Sequence, residues 1–186
     1  MAGLSKILAG LTPQMADLTQ QLVEACAKKG VDLLVYCGRR TVEEQARIWR
    51  QSRQADKING KQANLSQLGY RWLAKVLSEV GPQHGPHVTN AGPGESWHQY
   101  GEAIDAVPMI GGKPLWQPEA RKAWGSGPWQ VYGEAARALG LTWAGDWKGF
   151  PEYPHCQFRP EPNPLKVLTP AEVERALNMF TPKVNA

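Results

Sequence analysis

The sequence predicts an α+β fold: a small, mainly antiparallel sheet with helices packed on one face. Helical patterns dominate residues 12–80, and short strand patterns with a hairpin signal follow between residues 87 and 158. Helices and strands that are segregated along a chain in this way are typical of α+β domains. With 186 residues, of which 42% are hydrophobic, the chain suits one domain. We expect a single domain over residues 1–186, with a core at about 11–158 and a C-terminal tail and helix at 159–186.

Five segments carry helix signals. Thr12-Pro13 is an N-cap followed by a first-turn proline, and Thr41 with Glu44 forms a capping box. Apolar residues three and four apart predict a third helix, and Gly140 ends a fourth. The predicted helices run over 12–30, from 41 onward, over 65–80, over 129–139 and from the second capping box at 169 onward.

Strand signals are shorter. Residues 31–37 are β-branched and apolar with little polar relief, which predicts a central strand covered on both sides. Gly111-Gly112 is typical of a hairpin tip. The remaining predicted strands are 87–90, 103–109, 113–116, 141–144 and 155–158.

Composition excludes several classes. Three cysteines without framework spacing argue against a disulfide scaffold and for folding in a reducing compartment. No apolar run approaches the ~20 residues of a bilayer span, and residues 1–11 lack a secretory h-region. We therefore expect synthesis in the cytoplasm without a signal peptide, so that another agent must release the protein if its substrate lies outside.

Positive charge is concentrated in residues 39–75, which contain nine Lys or Arg against three acids, a net +6 within a chain of net +4. Such a segment is either a solvated helix face or an attachment surface for a polyanion such as an anionic envelope. Zinc-finger spacing, RNA-binding signatures and heptad-linked basic regions are absent from the sequence, so no specific nucleic-acid partner is expected.

The chemistry-bearing residues fall into two clusters. His98 and Asp105 flank Gly101, which allows the backbone to turn tightly, and Glu152 precedes Pro154-His155. Two histidines and one carboxylate suit a three-ligand zinc site with an open fourth position. Taken singly, a histidine is more often a hydrogen-bonded structural residue, and an Asp or Glu a turn acceptor or a solvated group.

Three blocks carry a family resemblance. The block 96–105 resembles the signature Ser-x-His-x-x-Gly-x-Ala-x-Asp of the zinc D-alanyl-D-alanine carboxypeptidase and L-alanyl-D-glutamate endopeptidase family. The block 38–45 is similar to its Gly-x-Arg-Ser/Thr-x-x-x-Gln element. The third block, which comprises 144–147 and 152–155, is similar to its Gly-Gly-Asp-Trp and Asp/Glu-x-x-His elements, with Ala144 replacing the first glycine.

The resemblance implies that His98, Asp105 and His155 bind one zinc ion and that Glu152 is the catalytic base. It assigns Arg40 to the substrate carbonyl or the developing oxyanion. An arginine suits that role because its rigid fork can hold two oxygens and its charge survives burial.

Four further residues are candidates for indirect roles or for substrate contact: Ser96, Asp146, Gln45 and Tyr100. Ser96 either hydrogen-bonds near the metal or holds the bend, and Asp146 is a candidate for orienting a ligand imidazole. Tyr100 lines the groove or belongs to the core. Cys156, beside a ligand candidate, is either a competing thiolate or a buried thiol, and we favour the buried thiol.

The function that the resemblance implies is zinc-dependent hydrolysis of the peptidoglycan stem peptide. The leading reading is an L-alanyl-D-glutamate endopeptidase that acts as a monomeric phage-type endolysin, released to the wall by an agent such as a holin. Enzymatic alternatives are a D-alanyl-D-alanine carboxypeptidase and a delivered wall-degrading toxin. The non-enzymatic alternative is a zinc-stabilised wall-binding module, although a structural site needs no base such as Glu152.

Overall fold

The computed structural model describes residues 2–116 and 127–179. Within these ranges the chain forms seven α-helices, five strands and three short 3-10 turns. The helices are α1 Ala2–Ala9, α2 Pro13–Lys28, α3 Val42–Arg50, α4 Ala55–Gln67, α5 Arg71–Glu79, α6 Pro128–Ala138 and α7 Pro170–Asn178. The strands are β1 Asp32–Cys37, β2 Ala103–Ile110, β3 Lys113–Pro114, β4 Thr142–Trp143 and β5 His155–Gln157.

The chain divides into two compact units. The first, called here the sheet unit, comprises Met1–Arg39 and Gly101–Pro160. The second, the helical unit, comprises Arg40–Tyr100 and Glu161–Ala186. The expectation of one domain with a core at about 11–158 stays a prediction, and the end of the expected tail, from residue 180, lies outside the described residues.

The sheet is antiparallel, in the order β1-β2-β5-β4, and the short β3 pairs with the far end of β2. The predicted α+β class is confirmed. The placement of residues 31–37 at the sheet centre was wrong, because β1 is the first strand of the order and leaves Leu34 and Tyr36 at 43% and 42% exposure. An apolar run alone does not distinguish an edge strand from a central one.

The core of the sheet unit covers one face of the sheet. Ile104 and Ala106 of β2 point into it together with Cys156 of β5. Helices α1, α2 and α6 supply the opposing side chains, which include Met15, Leu22 and Tyr132, each fully buried. The helices therefore lie on the face that carries residue 104, and Asp105, which alternates with it along β2, points to the other face.

The helical unit confirms one helix prediction and corrects another. The capping box of Thr41 and Glu44 is present at the start of α3. The single helix expected over 65–80 is two helices, because Gly69 adopts a left-handed φ of +90° between α4 and α5. Leu73 and Leu77 are buried, whereas Leu68 is 54% exposed. Residues 87–90 form no strand, and α1 was not predicted.

None of the helices in the described ranges is long and apolar enough to cross a bilayer.

Candidate metal centre

Cross-strand pairing aligns three side chains of metal-ligand types on one face of the sheet. Asp105 of β2 pairs with His155 of β5 on one side and with Cys37 of β1 on the other. Directly paired residues of antiparallel strands project to the same face. The row Cys37, Asp105 and His155 therefore lies opposite the hydrophobic core.

Both nitrogens of the His155 ring contact an oxygen atom. Nε2 lies 3.0 Å from Oε1 of Gln157, and Nδ1 lies 3.2 Å from Oδ1 of Asp105. The Gln157 amide nitrogen donates to the carbonyl of Arg159, which fixes the amide so that its oxygen faces the histidine. His155 must then donate from Nε2, and a neutral imidazole presents a lone pair at Nδ1 towards the carboxylate.

Two acceptors that face each other repel unless a cation lies between them. His155 and Asp105 are 7% and 9% exposed, so water screens the contact poorly. Burial opposes protonation of His155, but the hydrogen bond and charge of Asp105, the contact with Gln157 and the charge of Glu152 together raise its pKa. The surroundings therefore favour a positive charge at Nδ1, which a proton or a metal ion can supply.

The geometry fits zinc. Two ligands of a tetrahedral zinc ion, at 2.0–2.1 Å from the metal, are roughly 3.3 Å apart. The Nδ1 atom of His155 and the Oδ1 atom of Asp105 lie 3.2 Å apart. A nitrogen and a carboxylate oxygen form a donor set that zinc accepts in catalytic sites.

A hydrogen-bonded turn holds Glu152 next to His155. The backbone N–H of Glu152 donates to the carbonyl of Ala144 at 3.0 Å, and the N–H of His155 donates to the carbonyl of Glu152 at 3.1 Å. The charge of Glu152 contributes to the raised pKa of His155, so the carboxylate acts electrostatically on the ring. A carboxylate held in this way suits a proton acceptor beside a metal.

Three core contacts anchor the same turn from beneath. The Pro154 carbonyl accepts from the backbone N–H of Ala106 and from the Tyr132 hydroxyl, both at 3.0 Å. Trp143 donates from Nε1 to the Tyr153 carbonyl at 2.7 Å. The proline and tyrosine between Glu152 and His155 therefore connect the site to the core.

Asp146 and Trp147, which are adjacent in the third sequence block, contact different residues. Both carboxylate oxygens of Asp146 accept from Nη1 of Arg137, at 3.0 and 2.8 Å. The ring of Trp147 lies 5.6 Å from that of His155, centre to centre. The imidazole of His155 contacts Gln157 and the carboxylate of Asp146 contacts Arg137, and the orienting role suggested for Asp146 stays a prediction.

Cys156 belongs to the core. Its side chain is fully buried and follows His155 on β5, so it points to the opposite face. Burial raises the pKa of its thiol, and burial likewise raises the pKa of Cys26 to about 11. The structure supports the reading of Cys156 as a buried thiol.

In the helical unit, His98 lies in a tightly built turn. It is 1% exposed within the 3-10 turn Trp97–Tyr100, and the N–H of Gln99 donates to the carbonyl of the buried Ser96 at 3.0 Å. The Tyr100 hydroxyl donates to the Gly94 carbonyl at 3.0 Å, which makes this tyrosine part of the frame.

Gly94 is required at that place. It adopts a φ of +84°, and a Cβ there would lie 2.5 Å from a methyl carbon of Leu73. Its backbone N–H donates to the Gln99 side chain at 2.8 Å. The turn that carries His98 thus depends on a glycine that the sequence signature does not include.

Arg40 is positioned by Gln45, as their shared block suggests. Nη1 of Arg40 donates to Oε1 of Gln45 at 3.3 Å, and the buried glutamine donates to the Ala91 carbonyl at 2.7 Å. The backbone N–H of Arg40 donates to the carbonyl of His98 at 3.2 Å. The helical unit therefore holds the candidate cation and the candidate ligand in one hydrogen-bonded assembly.

Much of the basic segment 39–75 has a structural task. At least four of its cations bind groups of the helical unit itself. Arg50 donates to the carbonyls of Leu77 and Ser78, Arg53 to those of Trp49 and Thr89, Lys61 to both oxygens of Glu95, and Lys75 pairs with Glu79. These four cations therefore have partners within the helical unit.

The sheet unit alone thus presents candidate metal donors and a neighbouring carboxylate, as a metal-dependent hydrolase requires. Comparison with known proteins agrees. Two family models described as D-alanyl-D-alanine carboxypeptidase match residues 9–113 and 89–158. The peptidoglycan L-alanyl-D-glutamate endopeptidase CwlK of Bacillus subtilis (strain 168) is 32% identical over 152 residues, which are 81% of this chain and 74% of that protein. The chain belongs to this family of peptidases.

Family membership confirms the recognition from the three blocks and the enzyme prediction. The protein is a metallopeptidase that hydrolyses peptidoglycan. The alternative of a non-enzymatic wall-binding module is set aside by the same finding.

Similar solved structures include two peptidases. The L-Ala D-Glu endopeptidase ChiX of Serratia marcescens is 20% identical, with 85% of this chain and 87% of that chain covered and a TM-score of 0.44. A mutant of the vancomycin-resistance D,D-pentapeptidase VanY, in complex with Zn(II), is 21% identical, with 79% and 71% covered and a TM-score of 0.41.

Two residues beside the candidate centre were not singled out from the sequence. Gln157 follows His155 by two positions, so strand alternation signals that both share a face. Cys37 ends the first strand, and only the pairing of β1 with β2 brings it opposite Asp105.

Proposed function

We propose that the protein is a zinc-dependent endopeptidase that cleaves the L-alanyl-D-glutamate bond of the peptidoglycan stem peptide. The contact of two buried acceptors, Nδ1 of His155 and Oδ1 of Asp105 at 3.2 Å, is the observation that carries the zinc assignment. The choice of bond rests on CwlK, the relative with 32% identity, whose name specifies it.

The proposed ligands of one zinc ion are His98, Asp105 and His155. The last two belong to the sheet unit and His98 belongs to the helical unit, so the inclusion of His98 rests on the sequence block around it. Bound zinc supplies a Lewis acid, which polarises the scissile carbonyl and lowers the pKa of water towards ~7.

The chain's own residues perform the proton transfers and hold the charge. Glu152 takes a proton from the attacking water and returns it to the nitrogen of the leaving amine. Arg40, held by Gln45 at 3.3 Å, binds the carbonyl oxygen as negative charge develops on it. Gln157 keeps His155 in the tautomer that leaves Nδ1 available.

Mass analysis of products tests the choice of bond. Defined muropeptides are incubated with the purified protein, with zinc and with chelator. The proposal expects fragments that begin with D-Glu and glycan that retains L-Ala. Release of free D-Ala in place of these products would make the protein a D-alanyl-D-alanine carboxypeptidase. Hydrolysis that persists after complete removal of the metal would overturn the zinc assignment.

The biological role that we propose is that of a monomeric phage-type endolysin. The protein accumulates in the cytoplasm and reaches the wall when another agent, such as a holin, opens the membrane. Cells that express it are expected to stay intact until the membrane is permeabilised and then to lyse. Lysis without permeabilisation would favour a delivered or exported enzyme, and sedimentation of the purified chain tests the monomer.

Attachment to an anionic envelope is the remaining part of the proposal. Segment 39–75 carries a net +6, of which a part stabilises the helical unit. Attachment through the rest acts by screened charge, so binding to isolated wall weakens as salt rises. Wall binding that is independent of salt would remove this role.

A further inference from the structure

A β-bulge places a thiol at the metal centre. Val35 pairs with Ala106, and the next paired residue of β1 is Cys37, opposite Asp105. Tyr36 is thus the extra residue of the bulge. In a regular ladder without the bulge, Tyr36 would pair with Asp105. A bulge of this kind re-aims the side chains that follow it. Its effect here is to put a sulfur atom on the face that holds Asp105 and His155.

The distance between the donors is short enough for one ion. The sulfur of Cys37 and a carboxylate oxygen of Asp105 lie within 4.8 Å of each other. A thiolate sulfur and a carboxylate oxygen on one tetrahedral zinc ion are roughly 3.5 Å apart. The two backbones are fixed by strand pairing, so a rotation of the Cys37 side chain closes the difference.

A second observation points to the same place. Nδ1 of His155 and Oδ1 of Asp105, both on buried side chains, lie 3.2 Å apart, which suits two ligands of one metal ion. Cys37 stands on the other flank of the same carboxylate. The sulfur therefore adjoins a cation position that is inferred without it.

The other two thiols cannot bind a metal ion at this centre. Cys26 and Cys156 are fully buried in the core on the opposite side of the sheet, and burial raises the pKa of both. Cys37 is only partly buried, and its Sγ contacts the Gly38 carbonyl at 3.7 Å. It is the cysteine of this chain that shares a face with the metal centre.

We propose that Cys37 is a thiolate ligand of the same ion, an inference that rests on the proposed metal centre. The thiol loses its proton to solvent, a sulfur–metal bond forms, and one solvent molecule leaves the coordination shell. With three ligands and the thiolate the shell is closed, as in structural zinc sites, and no position remains for the substrate. The bond must break for turnover, so Cys37 holds the metal in a resting state and restrains the rate.

Cobalt substitution tests the sulfur–metal bond directly. The metal-free protein is loaded with Co²⁺, the bound metal is counted, and the near-ultraviolet spectrum is searched for a thiolate-to-cobalt charge-transfer band. The wild type is expected to show the band, Cys37→Ser to bind cobalt without it, and Cys156→Ala, the matched thiol of the opposite face, to retain it. In peptidase assays with zinc, Cys37→Ser is expected to turn over faster by a few fold.

The outcomes separate this inference from the metal centre itself. If the wild type binds one equivalent of cobalt but lacks the charge-transfer band, Cys37 is not a ligand, and the proposed metal centre is unaffected. If the wild type binds no cobalt, both the role of Cys37 and the proposed metal centre are wrong.

Alkylation gives a measurement that needs no variant. Zinc is expected to slow the reaction of iodoacetamide with Cys37 at least tenfold, as mapped by mass spectrometry. An unchanged rate in zinc-loaded protein would also contradict the sulfur–metal bond.

Discussion

Gln157 follows His155 by two residues on the same strand, and its side-chain oxygen lies 3.0 Å from Nε2 of that histidine. The contact fixes the tautomer and turns the other nitrogen towards Asp105. Replacement by leucine removes the acceptor, so we expect Gln157→Leu to weaken zinc binding by about 10–100-fold. Competition with a chromogenic chelator measures the affinity.

Gln157→Glu is the comparison variant, because a carboxylate still accepts from Nε2 although it loses the bond that the amide donates to the Arg159 carbonyl. We expect this variant to bind zinc more tightly than Gln157→Leu. Equal affinity in Gln157→Leu and the wild type would mean that the contact does not orient the ligand.

Glu152 is expected to be needed for turnover but not for the metal. In Glu152→Gln the amide cannot accept the proton of the attacking water, so kcat should fall by about 10²–10⁴-fold while one zinc ion stays bound. Elemental analysis and the muropeptide assay measure the two quantities. Glu134→Gln, which changes a carboxylate of α6 that pairs with Lys29, should leave kcat unaltered. A Glu152→Gln enzyme of normal rate would refute the assignment of the base.

Metal removal should destabilise the protein as well as inactivate it. Because the ion binds the folded chain, free zinc at 1,000 times its Kd adds about 4 kcal/mol to the free energy of unfolding. Thermal unfolding with chelator and with zinc measures the shift. Asp105→Asn, which removes the charge facing His155, should lose most of it. If zinc raised the unfolding temperature of Asp105→Asn as much as that of the wild type, the stabilising ion would bind elsewhere.

Two helical glycines are expected to respond to alanine in opposite directions. Gly133 lies in α6 against Trp143, and a Cβ there would approach the indole ring to 2.4 Å. We expect Gly133→Ala to cost about 1–3 kcal/mol, because an overfilled core must shift the ring. That ring anchors Tyr153, so peptidase activity should fall as well.

Gly60 of α4 is the control, since a Cβ there meets nothing within 4 Å. Gly60→Ala should stabilise the protein by about 0.5–1 kcal/mol, because alanine restricts the unfolded chain and favours helix. Denaturant unfolding measures both variants. Stabilisation by Gly133→Ala would show that the Trp143 ring is not confined.

Two lysines of equal charge are expected to differ in their contribution to stability. Lys61 Nζ lies 2.6 Å from both oxygens of Glu95, with side chains 18% and 14% exposed, whereas Lys75 pairs with Glu79 at 3.5 Å on the surface. We expect Lys61→Met to cost about 2 kcal/mol and Lys75→Met less than about 0.5 kcal/mol. Urea unfolding measures the difference, and equal costs would mean that the partly buried pair contributes nothing specific.

Local chemistry made several features readable from the sequence. Capping at Thr12, Thr41 and Thr169 depends on side chains that bond their own neighbouring backbone, and all three caps are present. The glycine hairpin at 111–112 has both φ angles positive, as expected. The family was also recognisable, because its motifs consist of particular residue types at fixed spacings.

Features that depend on pairing between distant segments could not be predicted from the sequence. Whether β1 lies at the edge or the centre of the sheet depends on which strands flank it, and apolar content does not encode that choice. The break at Gly69 competes with helical periodicity on both sides, so the pattern alone predicted one helix where there are two.

The sequence by itself determined the class of enzyme and the candidates for the ligands and the base, because these follow from residue types at fixed spacings within short motifs. Only the tertiary structure decided which atoms meet around Asp105. Cys37, Asp105 and His155 come from three strands far apart in the chain, and the register of their pairing, with one bulge, puts them on one face. Register is set by hydrogen bonding and side-chain packing across strands, which no single segment specifies.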